Sequence, residues 1–342
     1  MEISTIGIDI SKRVFQVHGV DASGTIVLRK KLRRSEVLRV FDDLAPCVVG
    51  IEACGSAHYW ARELRELGHE VRMIAPSYVK PYVKRGKKND AADAAAICEA
   101  VARPGMRFVG IKSAAQQGVL MLHRSRELLI RQRTNLVNAL RGHMAELGIV
   151  APKGIWNVKA LLEVIADDGD PRIPAAARTA LRAIASQIAA LGQPIRELDR
   201  AILDWHKANE ESRRLATIPG FGPIVSSACL ATAGDMRQFR SGRHFAAWLG
   251  LVPGQHSTGG KDRLGPITKM GDRYVRKLLV IGATARLRSA CRGTSPDGAW
   301  IRRLLERKPP RLVTVAIANK MARTAWALTI RGEVYQPRPS AA

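Results

Sequence analysis

Over the first hundred residues apolar positions either alternate with polar ones or form short unbroken blocks; over most of the rest they recur every three or four positions. These are the periods of strands and of helices. Residues 5–10 (TIGIDI), 14–20 (VFQVHGV) and 25–31 (TIVLRKK) are rich in Val, Ile and Thr, which suit a pleated, half-buried surface. Asp21-Ala22-Ser23-Gly24 is turn chemistry, so the second and third strands form a hairpin. A helical stretch over 35–44 leads to CVVGIEA at 47–53, an apolar run suited to a strand buried on both faces. A helix over 57–67 ending at Gly68, a strand over 69–74 and a break at Pro76 follow. Asn89 is a suitable N-cap for a helix from Asp90 to about Ala102, before Pro104.

The order β-β-β-α-β-α-β-α is that of an RNase H-type α/β fold. Beyond it, residues 113–147 read as a long helix with Leu122, Leu129 and Leu136 seven apart and Leu140 and Leu147 continuing the stripe. Leu181, Ile184, Ile188, Leu191, Ile195, Leu198, Ile202 and Trp205 form a sustained heptad seam, the second arm of a coiled coil. Gly192 and Pro194 interrupt it, so two helices or one bent helix are expected. The seam fits an antiparallel pair within one chain and a dimerising coiled coil alike. Pro219-Gly220-Phe221-Gly222-Pro223 between two helical segments resembles a helix-hairpin-helix element, whose backbone N–H groups at a helix start hold DNA phosphates; a plain tight connection is the competing reading. Basic helices over 274–288, 300–307 and 313–331 complete the chain. The expected organisation is an α/β domain over 1–110, a helical coiled-coil linker over 111–210 and a mainly α-helical domain over 211–342.

Charge narrows the partner. The 342 residues carry 55 Lys and Arg against 30 Asp and Glu, a net +25. The excess is uneven: +3 over residues 1–100, +6 over 101–150, +1 over 151–220 and +15 over 221–342. Concentrated positive charge is costly self-repulsion unless it meets a polyanion, so nucleic acid leads the partner classes. No apolar run approaches the ~18 residues of a membrane span, and the N-terminus lacks signal-peptide features, so a cytoplasmic protein without a membrane partner is expected. Cys47, Cys54, Cys98, Cys229 and Cys291 are odd in number and never form C-x-x-C, which excludes a disulfide framework or a zinc cage.

Four carboxylates occupy awkward positions. Asp9 interrupts the apolar strand Ile6-Gly7-Ile8-Asp9-Ile10, and Glu52 closes Val48-Val49-Gly50-Ile51-Glu52. A carboxylate so placed is expensive unless paired or bound to metal. Asp90 and Asp93, three apart, share one face at a helix start, where negative charge is also welcome without a metal. In an RNase H-type sheet the first and fourth strands are neighbours and the last helix crosses their ends, so the four converge. Such a cluster suits two Mg²⁺ ions, about 3.5–4 Å apart, for phosphoryl transfer.

Gly7-Ile8-Asp9, Ile51-Glu52-Ala53 and Lys88-Asn89-Asp90-Ala91-Ala92-Asp93-Ala94 resemble the motifs of the DEDD-type transposases of insertion-sequence family one hundred and ten, relatives of the Piv invertase with a RuvC-like N-terminal domain. Ile218-Pro219-Gly220-Phe221-Gly222, the segments 245–253 and 256–261, and Thr268-Lys269-Met270-Gly271-Asp272-Arg273 extend the resemblance over nearly the whole chain. The resemblance implies an Mg²⁺-dependent DNA recombinase, guided by a non-coding bridge RNA that pairs with target and donor DNA, working as a tetramer (a dimer of dimers) at the nucleoid. It implies Asp9, Glu52, Asp90 and Asp93 as metal ligands, and a serine nucleophile forming a phosphoserine link. Counting forward from Pro253 puts Thr258 at the nucleophile position, while counting back from Lys269-Met270-Gly271 favours Ser257, the residue chosen here. Ser257 precedes Gly259-Gly260-Lys261, which reads as a flexible basic turn, and His256 and Lys261 are its nearest candidate activators. Lys261, Arg263, Lys269, Arg273, Arg276 and Lys277, with Gly220 and Gly222, are the expected nucleic-acid contacts. The competing readings are a RuvC-like junction or RNase H-type nuclease using water, a sugar kinase, whose second phosphate loop is missing, and a non-catalytic DNA-binding protein.

Overall fold

In the computed structural model, which describes residues 2–83, 89–261, 263–295 and 298–337, the N-terminal alternation becomes a sheet. Its elements are β1 (Thr5–Asp9), β2 (Val14–Val20), β3 (Ile26–Arg33), α1 (Val37–Asp42), β4 (Val48–Glu52), α2 (Ala57–Glu66), β5 (Glu70–Ile74), α3 (Pro76–Val79), α4 (Asp90–Val101) and β6 (Phe108–Val109). Among the described residues six strands pair in the order β3-β2-β1-β4-β5-β6. β1, β4 and β5 run parallel; β2, β3 and the short β6 are antiparallel to their neighbours. The expected elements appear in the expected order; α3, a single turn at the Pro76 break, and β6, too short to show a period, are additions. Asn89 caps α4 as expected, its side chain accepting the Ala92 N–H at 2.8 Å. Lys88, at the start of that motif, lies outside the described residues.

Side-chain alternation divides this sheet into two faces. Ile6, Ile8, Val49 and Ile51 point to one side, where they are buried with Phe15, Phe41, Trp60 and Leu64 beneath α1 and α2. Gly7 and Gly50, opposite each other across the parallel β1–β4 pair, point to the other, and α4 lies on them. A Cβ on Gly7 would stand 2.2 Å from the Ala94 carbonyl oxygen, and one on Gly50 would stand 2.9 Å from Cβ of Val101. The missing side chains therefore set how closely α4 approaches.

The chain divides into two compact units, Met1–Gln117 and Gly118–Ala342. Beyond α5 (Ala114–Ala145), which starts in the first, the second contains α6 (Val158–Ala166), α7 (Ala175–Ala190), α8 (Gly192–Ala208), α9 (Glu210–Leu215), α10 (Pro223–Ala233), α11 (Gly242–Trp248), β7 (Pro253–Gln255), β8 (Leu264–Ile267), α12 (Arg273–Cys291), α13 (Gly298–Leu305) and α14 (Pro310–Arg331). The seam does break before Gly192, where α7 gives way to α8. Leu181 and Ile188 pack with Val137, Leu140 and Met144 of α5 and Leu161 and Ile165 of α6, so this half of the seam is buried within the chain. A larger core, including Phe221, Phe245, Leu279, Ile317 and Met321, joins α10, α11, α12 and α14.

One buried polar cluster ties three of these helices. His123 of α5 meets Tyr274 Oη of α12 through Nδ1 at 3.1 Å and Ser227 Oγ of α10 through Nε2 at 3.0 Å. Burial, with Arg126 nearby adding to it, pushes the His123 imidazole down to about 4. It therefore stays neutral at physiological pH.

Two outcomes are expected from these contacts. Gly7→Ala should lower stability by about 2 kcal/mol or more, because backbone must move, whereas Gly55→Ala, with nothing near its added carbon, should stay within about 0.5 kcal/mol. Urea unfolding followed by circular dichroism compares them. For His123 the folded value lies below the unfolded one, so unfolded chains bind the extra proton between about pH 6.5 and 4 and stability falls as pH drops through that window. Thermal unfolding against pH should show this loss, and His123→Gln should flatten it.

Candidate active site

Asp9 and Glu52 are the last residues of β1 and β4, one step beyond the Ile8–Ile51 pair. Each stands two residues after one of the facing glycines, so both carboxylates share the face that α4 crosses. The cap at Asn89 starts α4 there, with Asp90 and Asp93 in its first turn. One oxygen from each of Asp9, Asp90 and Asp93 lies within 4.8 Å of the others. Glu52 stands beside this trio, near enough to feel the charges of Asp93 and Asp9.

Electrostatics register the crowding. The Asp9 carboxyl is pushed up to about 6, first by burial and then by Asp93, Asp90 and Glu52, against a smaller opposing hydrogen bond from the Ile10 amide. Burial, then Asp93, raises Glu52 as well. Carboxylates arranged this way are hard oxygen donors whose repulsion a divalent cation relieves, and the residues fit such an ion. Lysine or arginine near the cluster would relieve it too, but among the described residues no ion pair involves any of the four.

The other expected site residues belong to the second unit. Ser257 is exposed and its Oγ accepts a hydrogen bond from Gln255 Nε2 at 2.9 Å. It stands just before the turn at Gly259 and Gly260, as read from the sequence, and that turn closes a β-hairpin, which the sequence reading did not include. β7 pairs with β8, a further bridge joins Thr258 to Lys261, and Gly259 and Gly260, at φ of 56° and 75°, make the reversal. Two successive residues with positive φ are the signature of a tight hairpin turn, and Gly-Gly was the available sequence signal. Pro253, Gly254, Gly265 and Pro266 hid the strands by breaking their pattern.

The basic residues divide by the company they keep. Lys261, Arg263, Lys269 and Arg273 are exposed. Arg276 instead donates from Nη1 to the carbonyls of Leu249, at 3.0 Å, and Met270, at 2.7 Å. Lys277 pairs with Glu127 at 3.1 Å. Gly222 is exposed at the start of α10 with open space around it, whereas Gly220 is packed backbone to backbone on Gly282 of α12. No described helix is long and apolar enough to cross a membrane.

Comparison with known proteins fits this geometry. Residues 6–149 match the DEDD-type IS110 transposase family and residues 212–295 match the family described as Transposase IS116/IS110/IS902. The chain is 51% identical over 338 residues to a Pseudomonas aeruginosa protein named "Probable family 20 transposase", covering 98% of this chain and 100% of that one. It is 37% identical over 333 residues to the transposase for insertion sequence element IS1328 of Yersinia enterocolitica, covering 97% and 98%. Against the transposase for IS1111A of Coxiella burnetii it is 35% identical over 335 residues, covering 98% and 92%.

Asp9 sets a pH test. Its folded value lies above the ordinary 3.8, so stability is lost as pH rises from about 4 through about 6, where the bare carboxylates come to repel fully. Millimolar Mg²⁺ should therefore raise the melting temperature more at pH 7.5 than at pH 5. Asp9→Asn should erase that difference; equal shifts at both pH values would contradict the site.

Proposed function

Because the chain belongs to the IS116/IS110/IS902 transposase family, and is thus an enzyme that cuts and rejoins DNA to move an insertion sequence, we propose that its carboxylates work with divalent cations on a DNA phosphodiester. The convergence of Asp9, Asp90 and Asp93 carries this reading, since repelling carboxylates brought together from a strand end and a helix start have little use without a cation. Residues 1–110 act as the RNase H-like, RuvC-like catalytic domain, 111–210 as a coiled-coil linker, and 211–342 as the transposase domain that carries the nucleophile. Asp9, Glu52, Asp90 and Asp93 would hold the two Mg²⁺ ions, which would supply stabilisation of the negative charge that develops at the phosphodiester.

Ser257 Oγ attacks phosphorus, forming a phosphoserine bond while the bond to the departing strand's oxygen breaks. His256 is placed next to it in sequence to take the hydroxyl proton, and the departing oxygen gains one. Exposure of Ser257 supports this role, because a phosphodiester in duplex DNA reaches only a group at the surface. Lys261, Arg263, Lys269 and Arg273 hold backbone phosphates, as do the N–H groups at the start of α10 beyond Gly220 and Gly222, in a helix-hairpin-helix element. Arg276 and Lys277 help by fixing the start of α12. As the resemblance to the family implies, target and donor choice falls to a non-coding guide RNA, and a dimer of dimers completes strand exchange at the nucleoid.

The test places the gene with its native flanking DNA in a host cell and scores recombination junctions. Wild type should give junctions, and Asp90→Asn and Ser257→Ala should lower them by at least about 100-fold, the scale of losing a reacting group. Activity retained in Ser257→Ala and lost in Thr258→Ala would move the nucleophile by one residue. Activity retained in both would assign the attack to water.

A further inference from the structure

The end of the sheet that presents Asp9 and Glu52 carries a second feature. β2 begins and β3 ends there, because both are antiparallel partners in register with Val14 opposite Arg33. The β1–β2 turn, with Lys12 and Arg13, thus lies beside Arg33 and Arg34, and the Arg34 amide donates to the Arg13 carbonyl at 2.9 Å. These four cations, with Tyr59 and Trp60 of α2, line an open depression of about 800 Å³. No acidic residue lines it. The nearest in sequence, Glu36, already accepts the Arg33 amide at 2.7 Å. All four cations are exposed, and none takes part in an ion pair among the described residues.

The depression is built, not incidental. The Arg34 guanidinium lies 5.0 Å from the Trp60 ring centre and 5.9 Å from that of Phe15, both rings being buried. Stacking of this kind fixes the planar donor group while leaving its edge open to oxygens. β3 adds a row leading towards the carboxylates. Asp9, Gln16 and Lys31 are opposite one another across β1, β2 and β3, and Lys31 stands two residues before Arg33 on the same face. Two strand spacings, roughly 10 Å, separate the Lys31 backbone from that of Asp9.

We propose that Lys12, Arg13, Arg33 and Arg34 form a phosphate subsite that grips the nucleic-acid strand flanking the phosphodiester at the carboxylates. This deepens the function proposed above and rests on it. Four carboxylates repel a polyanion, and cations bound among them offset only part of that field. A cationic clamp at the same end of the sheet supplies the remaining attraction where the strand enters or leaves. The ligand chemistry is a phosphodiester backbone, which either DNA or RNA presents.

The test measures binding of the full-length protein to a 20-nucleotide single-stranded DNA, the corresponding duplex and the same sequence as RNA, each across a salt series. Lys12→Gln/Arg13→Gln leaves Arg34 stacked and should weaken binding at least 10-fold. The log–log salt slope should fall by roughly 1.4 for a single strand or 1.8 for the duplex, which is about 0.7 and 0.9 per lost contact. The probe whose slope falls identifies the source as DNA or RNA. Lys159→Gln/Lys207→Gln removes the same charge elsewhere and should leave the slope unchanged. The subsite is overturned if Lys12→Gln/Arg13→Gln keeps the wild-type slope on all three probes, or if both pairs lower it equally. If the wild type itself binds none of them, the transposase mechanism proposed above fails together with the subsite. The Mg²⁺-induced rise in melting temperature, which should persist in Lys12→Gln/Arg13→Gln, shows that the carboxylate site is intact.

Discussion

The close approach of α4 to bare backbone at Gly7 and Gly50 is the constraint on which the first unit depends. A helix normally stands off a sheet by the depth of two side-chain layers; here the sheet contributes none at the crossing point, so helix carboxylates and strand carboxylates meet at short range. The rest of the packing serves that meeting. Ile6, Ile8, Val49 and Ile51 anchor the opposite face in a full apolar core, which fixes the pleat and therefore the side on which Asp9 and Glu52 emerge. A one-residue slip of either strand would send its carboxylate into that core.

Much of this was legible before any coordinates, for a definite reason. A charge inside an apolar strand is so costly that Asp9 and Glu52 marked themselves, and Asn89 marked the helix start by its capping chemistry. What the chain concealed was the purpose of the glycines. Nothing within their strands marks Gly7 and Gly50, because their value lies in a contact with a helix some ninety and fifty residues away. The hairpin carrying Ser257 was hidden in a similar way: prolines and glycines suppress the alternation that reveals a strand, while β6 is only two residues long and has no period to show.

Charge was legible in amount and not in use. The basic excess towards the C-terminus is plain in the sequence, yet Arg276 and Lys277 look no different from Lys269 or Arg273 there. Only three-dimensional placement shows that the first two are committed to carbonyls and to Glu127. The converse holds in the N-terminal hundred residues, whose near balance of charge conceals a local cluster of cations at one end of the sheet. The heptad seam shows the same limit. Leu181, Ile188, Ile195 and Ile202 are buried whereas Ile184, Leu191, Leu198 and Trp205 are only half-buried, a difference that depends on which neighbours each turn meets.

β3 is also the outer strand of its sheet, with one row of backbone N–H and C=O groups that no further strand among the described residues covers. Such an edge is a template on which a second chain's strand can form a ladder, and it is a common starting point for aggregation. Arg29, Lys30, Lys31 and Arg33 along β3 mean that two copies meeting edge to edge would bring like charges within one strand spacing. The strand thus guards its own open side, and like charge keeps the sheets of two copies from fusing into one another.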